Sequence, residues 1–317
     1  MLHRSSECTP HIHFLNSDGK TADSSIVRMH SSFFSLQENP FGETPDTRFF
    51  FQSERHLAAL EKLHAHIDSG RGFAVLTGEV GTGKTLLSRL LLREISEHTN
   101  TALILFPRLS GLELLAAIID ELQIVLGPEA RQHPPRHKIY VDHIYRYLLD
   151  SAQRGRRTVV IIDEAHRLPI ETLETIRLLN NLETEREKLL QIVLLGQPEL
   201  QETLEREELR QLTQRITLSC ELGPLGLEET DSYIRHRLER AGGGNLVRFD
   251  WKAVKWIHQF SGGIPRTINQ VCEKLIAMAE GERTHLITPA HCRKINSTEA
   301  RRPRSFREYL SRSSFGP

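Results

Sequence analysis

GEVGTGKT, residues 78–85, lies between the apolar run Phe73-Ala74-Val75-Leu76-Thr77 and a stretch, Leu86-Leu87-Ser88-Arg89-Leu90, that reads as helix. Strand, glycine-rich turn and helix start, in that order, are the setting a phosphate-binding P-loop requires. The turn is Gly78, Glu79, Val80, Gly81, Thr82 and Gly83. Gly81 and Gly83 let backbone N–H groups approach phosphate closely, Lys84 reaches toward the β- and γ-phosphates, and the Thr85 hydroxyl is placed to ligate Mg²⁺. A nucleoside triphosphate with Mg²⁺ is the expected ligand.

A second segment belongs with the first. Thr158, Val159, Val160, Ile161 and Ile162 form a buried-strand pattern that ends in Asp163 and Glu164. Such a strand delivers both carboxylates to the C-terminal edge of a sheet, where open α/β folds bind their ligands. Asp163 is expected to hold Mg²⁺ through water, and Glu164 to polarise the attacking water. An acidic helix cap after a strand has the same local look. The P-loop upstream favours the paired-acid reading, and with it hydrolysis over binding alone.

At 317 residues with 38% apolar content, the chain is long enough for a substantial core, with room for one large or two moderate domains. Lys plus Arg and Asp plus Glu both number 41, so nothing in the net charge argues for nucleic acid or an anionic membrane as partner. DNA stays open only as a local contact. No apolar run approaches membrane-span length and the N-terminus lacks a signal-peptide core, so the cytoplasm is the expected compartment. Cys8, Cys220, Cys272 and Cys292 are widely spaced without a CxxC pair, which fits reduced thiols.

Residues 1–28 are polar and aperiodic and are expected to form a disordered extension, with Met29 opening a different kind of sequence. A metal site of His3, Cys8, His11 and His13 is weaker than the reading of a solvated stretch. Segment 33–56, with its aromatic clusters and Pro40 and Pro45, is expected to be ordered but irregular and to pack on the domain that follows. Helix is expected over 53–67, 84–97, 111–126, 139–153 and 170–183, and strand at 73–77, 101–106, 158–162 and 190–195. This alternation predicts an α/β fold with a parallel sheet flanked by helices. Beyond Pro224 the expectation is helices alone, near 228–241, 250–260, 265–280 and 289–295, separated by the glycine breaks AGGGN and SGG. The expected domains are thus 29–223, nucleotide-binding with its N-terminal flanking segment, and 224–297, smaller and helical. A basic flexible tail, 298–317, follows, with Arg301, Arg302, Arg304, Arg307 and Arg312.

GEVGTGKT, IIDEAH, LLGQPEL, LRQLTQRI and SGGIPRTIN, in that order and spacing, resemble the AAA+ ATPases of the ExeA/GspA (general secretion pathway protein A) type. Related groups are the MshM-like pilus-biogenesis proteins and the TniB/TnsC-like ATPases of transposition. The resemblance covers about residues 29–297, and FFSLQENPFGETPDTRFFFQSERHLAAL is similar to the start of ExeA-type proteins. It implies that the sheet is an AAA+ P-loop NTPase core and the helical domain its lid. It also implies that Gln197 is a sensor of the γ-phosphate or attacking water, and Arg215, with Arg210 as substitute, an arginine finger for a neighbouring subunit. Arg266 is implied as a second sensor in the lid. His166 stands where relatives often have Gln. DEAH also names a helicase group, but its later motifs are not visible here.

The resemblance implies an ATPase that drives assembly of a secretion or pilus-type system, as a homo-oligomer in the cytoplasm or peripheral to the inner membrane. The alternatives are an ATP-dependent, DNA-associated regulator of transposition and a scaffold that binds ATP but hardly hydrolyses it.

Overall fold

The computed structural model describes residues 33–95, 98–105, 108–127, 136–185, 187–243 and 246–299, with side chains to 295 at the C-terminal end. The expectations for residues 1–28, for Met29 with His3, Cys8, His11 and His13, and for the tail beyond Glu299 lie outside the described residues.

Five parallel strands form the main sheet: β1 (Phe73–Thr77), β2 (Thr99–Ile104), β3 (Arg157–Ile162), β4 (Gln191–Gly196) and β5 (Ile216–Glu221). Their spatial order is β2-β3-β4-β1-β5. Every residue of β1 and β4 is buried, as is all of β3 except Arg157. A strand covered on both faces has no solvent side to show, which is why these three read as unbroken apolar runs. The edge strands β2 and β5 are only partly covered.

Each face carries its own core. On one, Phe73, Val75, Val160, Ile162, Ile192 and Leu194 pack against α3 (Gly111–Glu121), α4 (His137–Gln153) and α5 (Ile170–Leu179), through residues such as Leu114, Ile118, Ile144 and Ile176. On the other, the alternate strand residues Ala74, Leu76, Val159, Ile161, Val193 and Leu195 meet Leu60, Leu63 and Ile67 of α1 (Glu54–Asp68) and Leu87 and Leu91 of α2 (Lys84–Glu94). The period of two along each strand divides its side chains between the two layers. Burial of each such aliphatic side chain is worth about 1.5–3 kcal/mol.

Short polar signals set the helix starts. Ser53 caps α1 by accepting from the His56 N–H, and Ser110 with Glu113 forms a reciprocal capping box on α3. Three helices stop earlier than expected, α2 among them at Glu94, where Ile95 leaves the helical region (ψ 136°). α3 ends at Glu121 because Gln123 turns into the left-handed region (φ 53°), so Ile124 and Leu126 pack on the core from outside the helix. α5 ends at Leu179, and the chain then turns through Asn180 and Asn181 to a bridge between Glu183 and Lys188. After β4 come two short helices, α6 (Glu199–Leu204) and α7 (Arg210–Thr213).

The C-terminal part contains α8 (Leu227–Arg240), α9 (Trp251–Ser261), α10 (Pro265–Gly281) and α11 (Pro289–Glu299). The expectation of helices alone is corrected here by a two-residue parallel ladder, β6 (Arg248–Phe249) with β7 (Leu286–Ile287), too short to leave a periodic signal. The N-terminal segment packs into this helical layer: Phe34, Leu36, Phe41 and Phe49 are buried among Ile234, Leu238, Ile257 and Leu275. The buried Arg237 ties it down, donating to the Pro40 and Gly42 carbonyls, with its guanidinium 4.6 Å from the Phe49 ring centroid. No helix among the described residues is long and apolar enough to cross a membrane.

Candidate functional site

The strand order places three functional segments side by side. β3, β4 and β1 are neighbours, and the acidic pair, Gln197 and the P-loop follow their respective C-terminal ends. The Gly78 N–H donates to the Gly196 carbonyl (3.2 Å), so the P-loop leaves the sheet alongside Gln197.

Backbone geometry shapes the loop. Gly83 has φ +107°, a conformation that disfavours any side chain, and it precedes Lys84 at the start of α2. Gly81 is in the same region (φ +85°), and a Cβ there would come within 2.5 Å of Arg266 Cβ. This contact lets the start of α10 sit on the P-loop, where the Arg266 N–H donates to the Gly81 carbonyl (3.2 Å). The loop's carbonyls are tied back on the protein. Lys84 Nζ donates to Gly78 O (2.7 Å) and Glu79 O (2.9 Å), and Thr82 Oγ1 also donates to Glu79 O (2.9 Å). Lys84 is buried, which lowers its pKa, while Glu164, Asp163 and Glu79 act in the opposite direction and nearby Arg266 adds to the lowering.

Thr85 Oγ1 donates to Asp163 Oδ2 (2.6 Å), and Asp163 Oδ1 accepts the Glu164 N–H (2.8 Å). A hydroxyl and a carboxylate oxygen side by side form a hard-oxygen pair suited to Mg²⁺, which keeps several waters and takes few protein ligands. The described residues contain no group of three or more His, Cys, Asp or Glu side chains that could hold a metal by themselves, so substrate oxygens and water would complete the shell. Glu164 is left-handed (φ 54°), a costly conformation for a non-glycine residue, and opens the 3-10 turn Ala165–Arg167. Its carboxylate lies 3.5 Å from Arg167 Nε and 3.7 Å from His166 Nε2.

Two histidines join the site: His166, to which the sequence assigns no role, and His56, which it does not single out. His166 Nδ1 accepts the Gln197 N–H (3.3 Å), which leaves the Nε2 hydrogen facing Glu164 and links the acid to the end of β4. Burial lowers its pKa against the pull of Glu164. His56, in the first turn of α1, reaches Thr82 O with Nε2 (2.9 Å) and Ser53 Oγ with Nδ1 (2.6 Å). Local sequence carried no signal for that contact, because the partners are on different elements.

Lys84, Thr85, Asp163, Glu164, Gln197 and Arg266 therefore gather at one sheet edge. Arg215 does not join them. It precedes β5, whose first residue pairs with Phe73 at the start of β1, a strand length of roughly 16 Å from the P-loop edge. There Arg215 Nη1 donates to Asn181 Oδ1 and, at 3.5 Å, to the Arg177 carbonyl. Arg210 is exposed on α7.

A family model described as an AAA domain matches residues 66–204. General secretion pathway protein A of Aeromonas hydrophila is 45% identical over 259 residues, covering 82% of this chain. The chain belongs to the general secretion pathway protein A family of AAA+ ATPases. It spans about half of that relative, 46% of its length. Two solved structures share the fold of this family member. The ORC2 protein of Aeropyrum pernix, in its ADPNP–ADP complexes, matches with TM-score 0.61 at 17% identity, covering 86% of this chain and 74% of that one. Cdc6p of Pyrobaculum aerophilum matches with TM-score 0.62 at 16% identity, covering 82% and 70%. At such low identity these likenesses speak for the fold alone: a parallel AAA+ P-loop NTPase sheet flanked by helices, with a helical C-terminal region.

Proposed function

We propose that this chain binds ATP with Mg²⁺ at residues 78–85, hydrolyses it, and uses the cycle to drive assembly of a secretion-type system. The observation that carries the chemistry is the meeting of Lys84, the Thr85–Asp163 pair and Glu164 at one edge of three adjacent strands. The P-loop N–H groups cradle phosphate. Lys84, with three donors, turns from the carbonyls it now holds to the β- and γ-phosphate oxygens. Thr85 and Asp163 would hold Mg²⁺, Thr85 through its hydroxyl and Asp163 through water. The metal supplies charge neutralisation of the phosphates. Glu164 orients a water and accepts its proton, Gln197 reads the γ-phosphate side from β4, and Arg266 reaches the phosphates from the start of α10.

Residues 29–223 act in this reading as the nucleotide-binding unit and 224–297 as its lid. The distance of Arg215 from the P-loop edge of its own sheet supports its assignment as a finger for a neighbouring subunit, and hence a homo-oligomer. The kinship to a general secretion pathway protein supports a secretion client. Pilus assembly is the near variant of that reading, which places the chain in the cytoplasm or peripheral to the inner membrane.

The test is complementation of secretion in a bacterium lacking its own protein of this family. The chain is expected to restore export and Lys84→Ala to fail. An active ATPase that restores nothing, yet binds duplex DNA in an ATP-dependent, steeply salt-sensitive way, would overturn the secretion reading in favour of DNA association.

A further inference from the structure

His56 is buried at the junction of α1 and the P-loop. Thr82 O can only accept, so His56 Nε2 carries the ring hydrogen and donates across 2.9 Å. Nδ1 is then an acceptor, and it takes the hydroxyl hydrogen of Ser53 at 2.6 Å, while Ser53 Oγ accepts from the His56 N–H at 3.3 Å. Phe50 closes the other side, edge-on with ring centroids 5.8 Å apart. Both ring nitrogens are used and the ring is neutral, in keeping with a pKa lowered by burial.

The consequence follows from the planar peptide. No cis bond occurs among the described residues, so the carbonyl of Thr82 and the N–H of Gly83 point in opposite directions. Holding the carbonyl against α1 turns the Gly83 N–H the other way, into the turn. The ring also lies flush with the backbone, 3.0 Å from where a Gly83 Cβ would be. The carbonyls of Gly78 and Glu79 are held by Lys84, which leaves them when it turns to phosphate, whereas Thr82 is held from a separate element.

We propose that His56 is a positioning residue for nucleotide binding: through the Thr82 carbonyl it aims the Gly83 amide into the phosphate cradle, with Ser53 fixing its tautomer. The assignment rests on the P-loop reading of residues 78–85.

The experiment uses the full chain and titrates ADP and the non-hydrolysable analogue AMPPNP, with Mg²⁺, into wild type, His56→Leu, His56→Gln and Lys84→Ala by calorimetry, alongside melting temperatures without nucleotide. Loss of one aimed hydrogen bond is expected to weaken both ligands about 10-fold in His56→Leu. His56→Gln, whose amide can donate to Thr82, is expected to recover most of the affinity. Wild-type affinity in His56→Leu, or equal weakness in the Leu and Gln variants with equal melting temperatures, would overturn the role of His56 alone. Failure of wild type to bind either nucleotide, or a Lys84→Ala that binds like wild type, would overturn the P-loop reading and this one with it. If His56→Leu does not fold, side-chain ¹⁵N spectra of wild type decide: an Nε2–H tautomer at His56 whose signals move on ADP addition supports the proposal, and signals unmoved at saturation contradict it.

Discussion

Thr85 Oγ1 and Asp163 Oδ2 lie 2.6 Å apart across 78 positions of sequence. Neither residue could be brought to the other by its own element: Thr85 is in the first turn of α2, and Asp163 follows β3. Two parallel strands separated by β4 make the juxtaposition, each ending at the same edge. The pair therefore reports both the strand order and the place where a divalent cation would be held.

The first prediction follows from that pair. Thr85→Ala removes the hydroxyl and is expected to raise the Mg²⁺ concentration for half-maximal ATP turnover by about 10-fold, as loss of one liganding or hydrogen-bonding group does. Thr85→Ser is expected to stay close to wild type. Equal Mg²⁺ dependence in all three proteins would remove Thr85 from the metal site.

Acid should destabilise the fold before most carboxylates titrate. Burial depresses the pKa of His56 and His66 below the ordinary 6.5. In the range where this matters the unfolded chain binds more protons than the folded one, so stability rises with pH. It is full above the unfolded value of 6.5 and is lost as pH falls through 6.5 toward the depressed folded values. The melting temperature is expected to be lower at about pH 5.5 than at about pH 7.5, with a smaller difference in His66→Gln. A melting temperature that rises on acidification would contradict the neutral, buried assignment.

Arg237 should matter more than an average surface arginine. Its guanidinium serves Pro40 O, Gly42 O and the Tyr233 hydroxyl inside the layer that joins the N-terminal segment to α8. Arg237→Ala leaves buried acceptors without a donor and is expected to cost about 2 kcal/mol or more, read as a lower midpoint in urea unfolding. An unchanged midpoint would show that the segment does not depend on this tie.

The parts of the fold legible in the sequence were those where one physical demand dominates. Residues 73–77, 158–162 and 190–195 read as strands because burial on both faces leaves no room for polar residues. β5 did not stand out, since Thr217, Ser219 and Glu221 interrupt its apolar positions at the exposed edge of the sheet. The sequence extends α3 too far because Ile124 and Leu126 continue an apolar pattern that Gln123 has already turned out of the helix. In the site, residues 78–85 and Asp163-Glu164 carry their chemistry in local order. His56 does not. Its contact with Thr82 arises only when α1 packs on the far side of β1 and its first turn meets the P-loop.

The placement of Arg215 supports a site shared between subunits. Specific ATPase activity is expected to rise with protein concentration, since a finger supplied in trans is worth about 10³- to 10⁵-fold. Mixing Arg215→Ala, which keeps its own P-loop, with Lys84→Ala, which keeps its finger, is expected to restore part of the turnover. Arg215 also donates to Asn181 Oδ1 and Arg177 O, and this local tie is the competing cause. An Arg215→Ala that melts early and recovers in no mixture would assign the residue to the fold.

In the proposed reaction Glu164 acts on the attacking water while Lys84 holds phosphate. The most direct measurement is ATP affinity and steady-state turnover for wild type, Glu164→Gln and Lys84→Ala under one Mg²⁺ concentration. Glu164→Gln is expected to bind ATP like wild type while turnover falls about 10²- to 10⁴-fold, and Lys84→Ala to lose affinity itself. Near-normal turnover by Glu164→Gln would contradict a role for Glu164 on the attacking water.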